Sequence, residues 1–304
     1  MDGLLIVDKP SGPTSHDVVQ ELRRLTGIRV GHTGTLDPLA TGVLLLCLGR
    51  ATRLARFLSA ADKTYEGTIR LGAATDTFDA QGRVTFQAGC GHVTQEQVRR
   101  EAARLTGPRM QTPPPYSARK VAGRRLHRLA RAGTPAAAPP APVVVRRFEV
   151  LEAGDGRIRF EAVVSSGTYV RALADELGRA LECGAHLEEL RRTRCAGIGI
   201  EDALPMETLR RLARDKRLGS VVLPLERMEL GMASVVASSA GREAMRHGRP
   251  LTARDLEAAG PLADAAPGTR LRVQDSRGAL LGIAVVGPDE AGEARLRPDV
   301  VLAS

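Results

Sequence analysis

Gly31-His32-Thr33-Gly34-Thr35-Leu36-Asp37-Pro38-Leu39-Ala40-Thr41-Gly42 runs directly into the apolar stretch Val43-Leu44-Leu45-Leu46-Cys47-Leu48. Bounded by Gly42 and Gly49, that stretch reads as a buried strand. The loop before it holds one carboxylate, Asp37, among glycines and threonines, and Pro38 biases the aspartate toward an extended backbone. A loop feeding a core strand fixes the geometry of its side chains, which suits a functional carboxylate. Local chemistry by itself favours a plain Asp-Pro turn before a strand. The flanking sequence has to decide between the two.

Upstream, Leu4 to Val7 is a short apolar strand. Ser15 is placed to cap a helix that carries Val18, Val19, Leu22 and Leu25 on one face and stops at Gly27. Downstream, Thr52 to Ser59 reads as a short helix and Lys63 to Leu71 as a strand. Thr94 and Gln97 form a capping-box pair at the start of a helix that runs toward Gly107. Further strands are expected at Val143–Leu151 and Ile158–Val164, then a helix bearing Leu173, Leu177 and Leu181. Strands and helices without regular alternation indicate an α+β fold, with a mixed, mainly antiparallel sheet flanked by helices.

Two regions differ in texture. Residues 108–142 are bracketed by prolines and contain a basic run from Arg119 to Arg131, including Arg124, Arg125 and Arg128. The run suits a positively charged insertion that closes over a phosphate backbone, or equally a solvated basic helix. After residue 230, short strands alternate with Gly, Pro and Asp turns, as in a compact β-rich module. We therefore expect one domain over 1–230 and a small β-barrel over 231–304.

The chain has 304 residues, and its 43% hydrophobic and 26% charged content is that of a globular protein. A net charge of +9 favours a polyanionic partner, nucleic acid above all. No apolar run reaches the roughly 18–20 residues of a membrane span. The first residues lack a basic region followed by a long apolar stretch, so a cytoplasmic protein without a signal peptide is expected. Four cysteines form no CxxC pair, and Cys183, His186 and Cys195 fit no zinc spacing, so no metal site is expected.

The three tyrosines, Tyr65, Tyr116 and Tyr169, all lie close to Lys or Arg. Rings interleaved with cations suit loop or single-stranded RNA, whose unstacked bases regain stacking energy on aromatic faces. Without further context, Tyr65 reads sooner as a half-buried strand residue. Arg171 reads as a surface residue whose charge opposes a helix N-terminus, an arrangement that calls for a nearby carboxylate.

The Gly34–Leu44 string closely resembles the catalytic motif of the TruB family of tRNA pseudouridine synthases. Asp62-Lys63-Thr64-Tyr65, with Thr75-Asp76-Thr77-Phe78-Asp79-Ala80-Gln81-Gly82, resembles the family's second motif. Gly167-Thr168-Tyr169-Val170-Arg171 resembles the third. Gly248-Arg249-Pro250-Leu251 and Arg297-Pro298-Asp299 look like a PUA-type RNA-binding domain, although an unrelated small β-barrel fits the same pattern.

The resemblance implies Asp37 as the essential catalytic residue, Tyr65 as the platform for a flipped-out uracil and Arg171 as the partner of Asp37. It also implies His32 as the filler of the gap left in the loop and Lys9 as a lysine near the active site. Tyr169, Arg124, Arg125 and Arg128 complete the expected substrate contacts. Ser166 departs from the family, where many members carry Lys. The implied partner is the T-stem-loop of tRNA, bound by a monomer with no obligatory protein partner. The implied reaction exchanges an N1–C1′ bond for C5–C1′, which needs neither metal nor redox cofactor. A nearby Arg171 is expected to lower the pKa of Asp37. An ionised, oriented carboxylate serves as nucleophile or base. Synthases acting on another RNA, and a non-catalytic RNA-folding protein on the same scaffold, are the rival readings.

Overall fold

The computed structural model describes every residue except 118, 122, 127–131, 133–137, 259, 289–292 and 304, and only the backbone of 120, 125, 260 and 261. In chain order the strands begin with β1 (Gly3–Lys9), β2 (Val30–His32), β3 (Thr41–Leu48), β4 (Lys63–Leu71), β5 (Ala73–Thr75), β6 (Val84–Gln87) and β7 (Gly107–Gln111). Next come β8 (Lys120–Val121), β9 (Arg124–Arg125), β10 (Ala141–Gly154), β11 (Arg157–Val164) and β12 (Ala185–Cys195). Three short strands follow, β13 (Ile198–Gly199), β14 (Leu204–Pro205) and β15 (Leu223–Pro224). The helices of this part are α1 (Ser15–Thr26), α2 (Ala55–Ser59), α3 (Gln95–Ala103), α4 (Val170–Ala180) and α5 (Met206–Arg214).

Among the described residues, an 11-stranded sheet has the order β14-β1-β3-β12-β4-β11-β10-β7, with β2, β13 and β15 attached to β3, β12 and β1. Its pairs are antiparallel except β1 with β14 and β3 with β12. The fold is therefore α+β with a mainly antiparallel sheet, as the pattern of elements implied.

Strand β3 explains why the opening apolar run lacks alternation. Leu44, Leu46 and Leu48 join a core with Val18, Val19 and Leu22 of α1. Val43, Leu45 and Cys47, on the opposite face, pack with Leu225, Met228, Leu280, Ile283, Val300 and Leu302. A strand buried on both faces reads as a continuous apolar run. The second face meets a four-stranded sheet of β16 (Ser234–Val236), β17 (Arg270–Gln274), β18 (Leu280–Pro288) and β19 (Ala294–Val301), which carries helix α6 (Ser239–Arg246). Asp299 of β19 bridges Arg56 of α2 at 2.5 Å and Arg270 at 3.1 Å, and Phe57 lies under both guanidinium groups.

Several local expectations change. Helix α1 is capped by Thr14, in a capping box with Asp17, and not by Ser15. The expected Thr52–Ser59 helix is a 3-10 turn over Gly49–Arg53 followed by α2. Gly107–Gln111 forms an edge strand paired with Ala141–Val145 of β10, so both ends of the 108–142 stretch belong to the sheet. A loop with prolines at both ends conceals strands this short, because Pro108 needs no ladder donor at an edge.

Gly42 is fixed by geometry. Its φ of +99° suits glycine, and an added Cβ would lie 2.2 Å from the Arg192 carbonyl oxygen of β12. The parallel β3–β12 contact exists because no side chain stands there.

Candidate active site

The Asp37 loop is fastened from below. The Ser15 hydroxyl donates to the Leu36 carbonyl at 3.1 Å and accepts from the Leu36 N–H at 2.8 Å. Gly12 N–H donates to the Pro38 carbonyl at 2.9 Å, and Ala40 N–H closes a turn on the Asp37 carbonyl at 3.1 Å. Lys9, fully buried, spends its ammonium on the carbonyls of Pro10, Pro13 and Pro38. Burial pushes the Lys9 ammonium down to about 8, with Asp37 opposing and Arg192 adding to the shift. Lys9 thus braces the loop and is not among the cleft-lining residues.

Arg171 reaches this loop from the first turn of α4. Its Nη2 donates to Asp37 Oδ1 at 3.2 Å, and its Nε lies 3.1 Å from Oδ2. The same guanidinium donates to the carbonyls of Thr77 (3.2 Å) and Tyr116 (2.7 Å), and Nη1 sits 3.7 Å from Asp79 Oδ2. A buried cation at a helix N-terminus opposes the macrodipole, and two carboxylates compensate it. Asp79 also accepts from the Thr77 hydroxyl and the Gln81 N–H, which tightens the turn. Between Thr77 and Asp79, Phe78 takes φ +65°, a left-handed conformation that non-glycine residues adopt at a cost of about 1–3 kcal/mol.

The Asp37 side chain is one-third exposed, opening into a cleft of about 1520 Å³. Its pKa moves up, not down as the sequence suggested. Desolvation raises it, Arg171 opposes that, and Asp79 adds repulsion. The reversal arises because Arg171 divides its charge between two carboxylates while the surrounding protein removes water from Asp37.

Tyr65 of β4 and Arg192 of β12 are direct cross-strand partners. Both are buried, and both line the cleft. Arg192 Nε donates to the Val43 carbonyl at 2.7 Å, Nη2 to the Gly34 carbonyl at 3.2 Å, and Nη1 lies 3.4 Å from the Tyr65 hydroxyl. Burial raises the Tyr65 pKa and Arg192 opposes it. His32, at the end of β2, faces the same cleft. Burial lowers its pKa, the charge of Arg192 lowers it further, and its Nδ1 has no partner among the described residues. A neutral imidazole follows at neutral pH.

The remaining expected contacts are dispersed. Tyr169 caps α4 and lines the cleft, its backbone clamped by the Gln111 amide at 2.8 and 3.1 Å. Arg124 lines the cleft from the β8–β9 hairpin. Only the backbone of Arg125 is described, and Arg128 lies outside the described residues. The sequence reading omitted Asp79, Lys63 and Arg192, all of which line the cleft. Arg192 left one signal. It holds an inward position two residues after Leu190 on an alternating strand, where an apolar residue is expected. The Tyr116 contact is made by a backbone carbonyl, which no side-chain pattern reveals.

Comparison with known proteins is consistent with this geometry. Residues 23–170 match the model of the TruB family pseudouridylate synthase N-terminal domain, and residues 171–228 that of the tRNA pseudouridylate synthase B C-terminal domain. A tRNA pseudouridine synthase B of Aromatoleum aromaticum is 46% identical over 220 residues, covering 72% of this chain and 71% of that protein. One from Burkholderia pseudomallei is 39% identical over 302 residues, covering 98% and 96%. A solved structure of an H/ACA RNP bound to a substrate RNA containing 2′-deoxyuridine shares the fold, with a TM-score of 0.74 and 23% identity over 99% of this chain and 85% of that one. The motif loop, the two family models and relatives spanning nearly the whole length converge, and the chain belongs to the TruB family of pseudouridylate synthases.

Proposed function

We propose that this chain isomerises one uridine in the T-loop of tRNA to pseudouridine, with Asp37 as the catalytic carboxylate. The observation that carries the reading is the Asp37–Arg171 pair at the floor of an open cleft that also holds Tyr65 and His32. A base inside a stacked loop is out of reach, so the nucleotide is extruded into the cleft. The cleft exceeds the roughly 300–1,000 Å³ of an ordinary small-molecule site, which leaves room for flanking nucleotides. Tyr65 supports the extruded base, and the neutral imidazole of His32 fills the stack it leaves. Arg171 keeps the Asp37 carboxylate oriented and favours its ionised form against desolvation.

The reaction breaks N1–C1′, turns the base and forms C5–C1′. The C5 proton leaves to solvent and N1 gains one, so the conversion is redox-neutral. In this reading Arg124, with Arg125 and Arg128, follows the RNA backbone, and residues 231–304 form a PUA-like RNA-binding domain. The test incubates the purified chain with an unmodified T-stem-loop RNA and maps the product. One pseudouridine is expected from the native protein. Asp37→Asn is expected to give none while binding the RNA with an unchanged Kd. Turnover by the Asn variant would overturn the mechanism.

A further inference from the structure

Arg192 is 1% exposed, and none of the described carboxylates pairs with it. Its neighbours make its isolation worse. Lys9 and Lys63 are also buried, and each feels the guanidinium as a repelling charge. An unneutralised buried cation is costly, and an apolar side chain of similar volume often serves packing at least as well. Strand packing alone therefore does not account for an arginine here. Something carrying negative charge in the cleft does.

The proposed reaction supplies such a charge. When N1–C1′ breaks, the electron pair stays with the uracil and spreads over its ring nitrogens and carbonyl oxygens. The new C5–C1′ bond then consumes that pair, and the C5 proton departs. For that interval the base is anionic beside Tyr65.

The hydrogen-bond inventory gives the link. A guanidinium only donates, so the Tyr65 oxygen facing Nη1 must accept, and the phenolic proton turns away from Arg192. We propose that Arg192 is a positioning residue that acts through Tyr65, fixing its hydroxyl as a donor toward the cleft and placing positive potential behind the detached base. Sheet register enforces the arrangement, because the two residues are cross-strand partners and Gly42 lets β12 close on β3. The Gly34 and Val43 carbonyls hold the other edge of the fork, so the guanidinium has little freedom to leave. The inference rests on the proposed pseudouridine synthesis and on Tyr65 as the base platform.

The test is a double-substitution cycle in single-turnover assays on a T-stem-loop RNA. Arg192→Met is expected to slow the chemical step by about 10- to 100-fold, the loss of one charge-assisted bond, with the RNA Kd changed less than about threefold. In a Tyr65→Phe background the same substitution is expected to cost less than about twofold, because the two residues act as one unit. Arg192→Lys keeps charge without the fork and is expected to fall between the native and Met rates, and the cycle is run with it if the Met variant does not fold. An equal cost in both backgrounds, or a loss confined to RNA affinity, overturns the role of Arg192. Absence of product from the native protein overturns the proposed function, and this inference with it.

Discussion

Two arginines lie buried in one cleft, and they are held in opposite ways. Arg171 sits between Asp37 and Asp79, so its charge is balanced inside the protein. Among the described residues, the hydrogen-bond partners of Arg192 are carbonyl and hydroxyl oxygens, with no carboxylate paired to it. The first arrangement has one task, to hold a carboxylate ready. The second leaves positive potential unspent. A buried ion pair mostly specifies geometry, since its Coulomb gain is largely offset by desolvation. A buried cation without a counterion is a standing cost that a ligand can relieve. In the proposed mechanism the difference gives the two arginines different moments of the reaction, one before the base is attacked and one after it is released.

Removing Arg171 is the strongest way to break this contrast. Arg171→Met removes the cation between Asp37 and Asp79, and the repulsion left between them raises the Asp37 pKa further. Breaking one partner of a buried pair destabilises the fold by about 3–5 kcal/mol, and an Asp37 that is misoriented and less ionised should slow the chemical step by about 10²-fold or more at neutral pH. Its pH dependence carries the sign. In the proposed mechanism Asp37 acts ionised, and its pKa already lies above the usual 3.8 because of burial. The native rate therefore climbs with pH through that raised value and then levels. In Arg171→Met the acid limb moves to higher pH. In Asp79→Asn it moves lower, because one repelling charge is gone. Arg192→Met should leave the limb in place, since Arg192 is absent from the interactions that shift Asp37. Single-turnover rates from mildly acidic to mildly alkaline pH measure all three, and a limb that ignores Arg171 would undo the assignment.

The contrast also separates what the sequence reveals from what it hides. Asp37, Tyr65 and Arg171 stood out because each sits in a motif that resembles one of the TruB family, whereas the residues alone read as a turn, a strand tyrosine and a surface arginine. Strand β3 was legible from one uninterrupted apolar run. Asp79 was inside a quoted motif yet looked like a turn residue, and its carboxylate does serve its own turn through Thr77 and Gln81. Lys9 was legible as important but not as a brace, because three carbonyl acceptors are a property of the folded loop. The pKa of Asp37 went the other way for the same reason. Charge partners can be inferred along a chain, whereas desolvation depends on everything that closes over the site.

The Arg192 side of the comparison is sharpened by Gly42→Ala. The added methyl would lie 2.2 Å from the Arg192 carbonyl oxygen and 2.9 Å from its nitrogen, at a backbone φ of +99°. Overpacking of about 1–3 kcal/mol and a left-handed backbone penalty of about 1–2 kcal/mol act together. A loss of about 2–5 kcal/mol in denaturant unfolding is expected, accompanied by slower chemistry in the fraction that stays folded. Native-like stability would mean that β3 and β12 can part without consequence, and that Arg192 is not held by register.

The smallest effect is expected on the Arg171 side, at Ser15. Its hydroxyl satisfies both backbone groups of Leu36, the residue before Asp37, and is 1% exposed. In Ser15→Ala those two groups lose their partner, a cost of about 1–3 kcal/mol, while alanine at a helix start returns about 0.5 kcal/mol in propensity. The unfolding free energy should therefore fall by about 0.5–2.5 kcal/mol, toward the low end because Gly12 N–H and Lys9 still hold the Pro38 carbonyl. A loosened Asp37 misaligns with the base, so the chemical step should slow about three- to tenfold with RNA affinity unchanged. The Tyr65–Arg192 coupling energy should not change, since Ser15 touches neither residue. A Ser15→Ala variant that lost that coupling as well would show that the two arginines are braced by one loop and not by two separate supports.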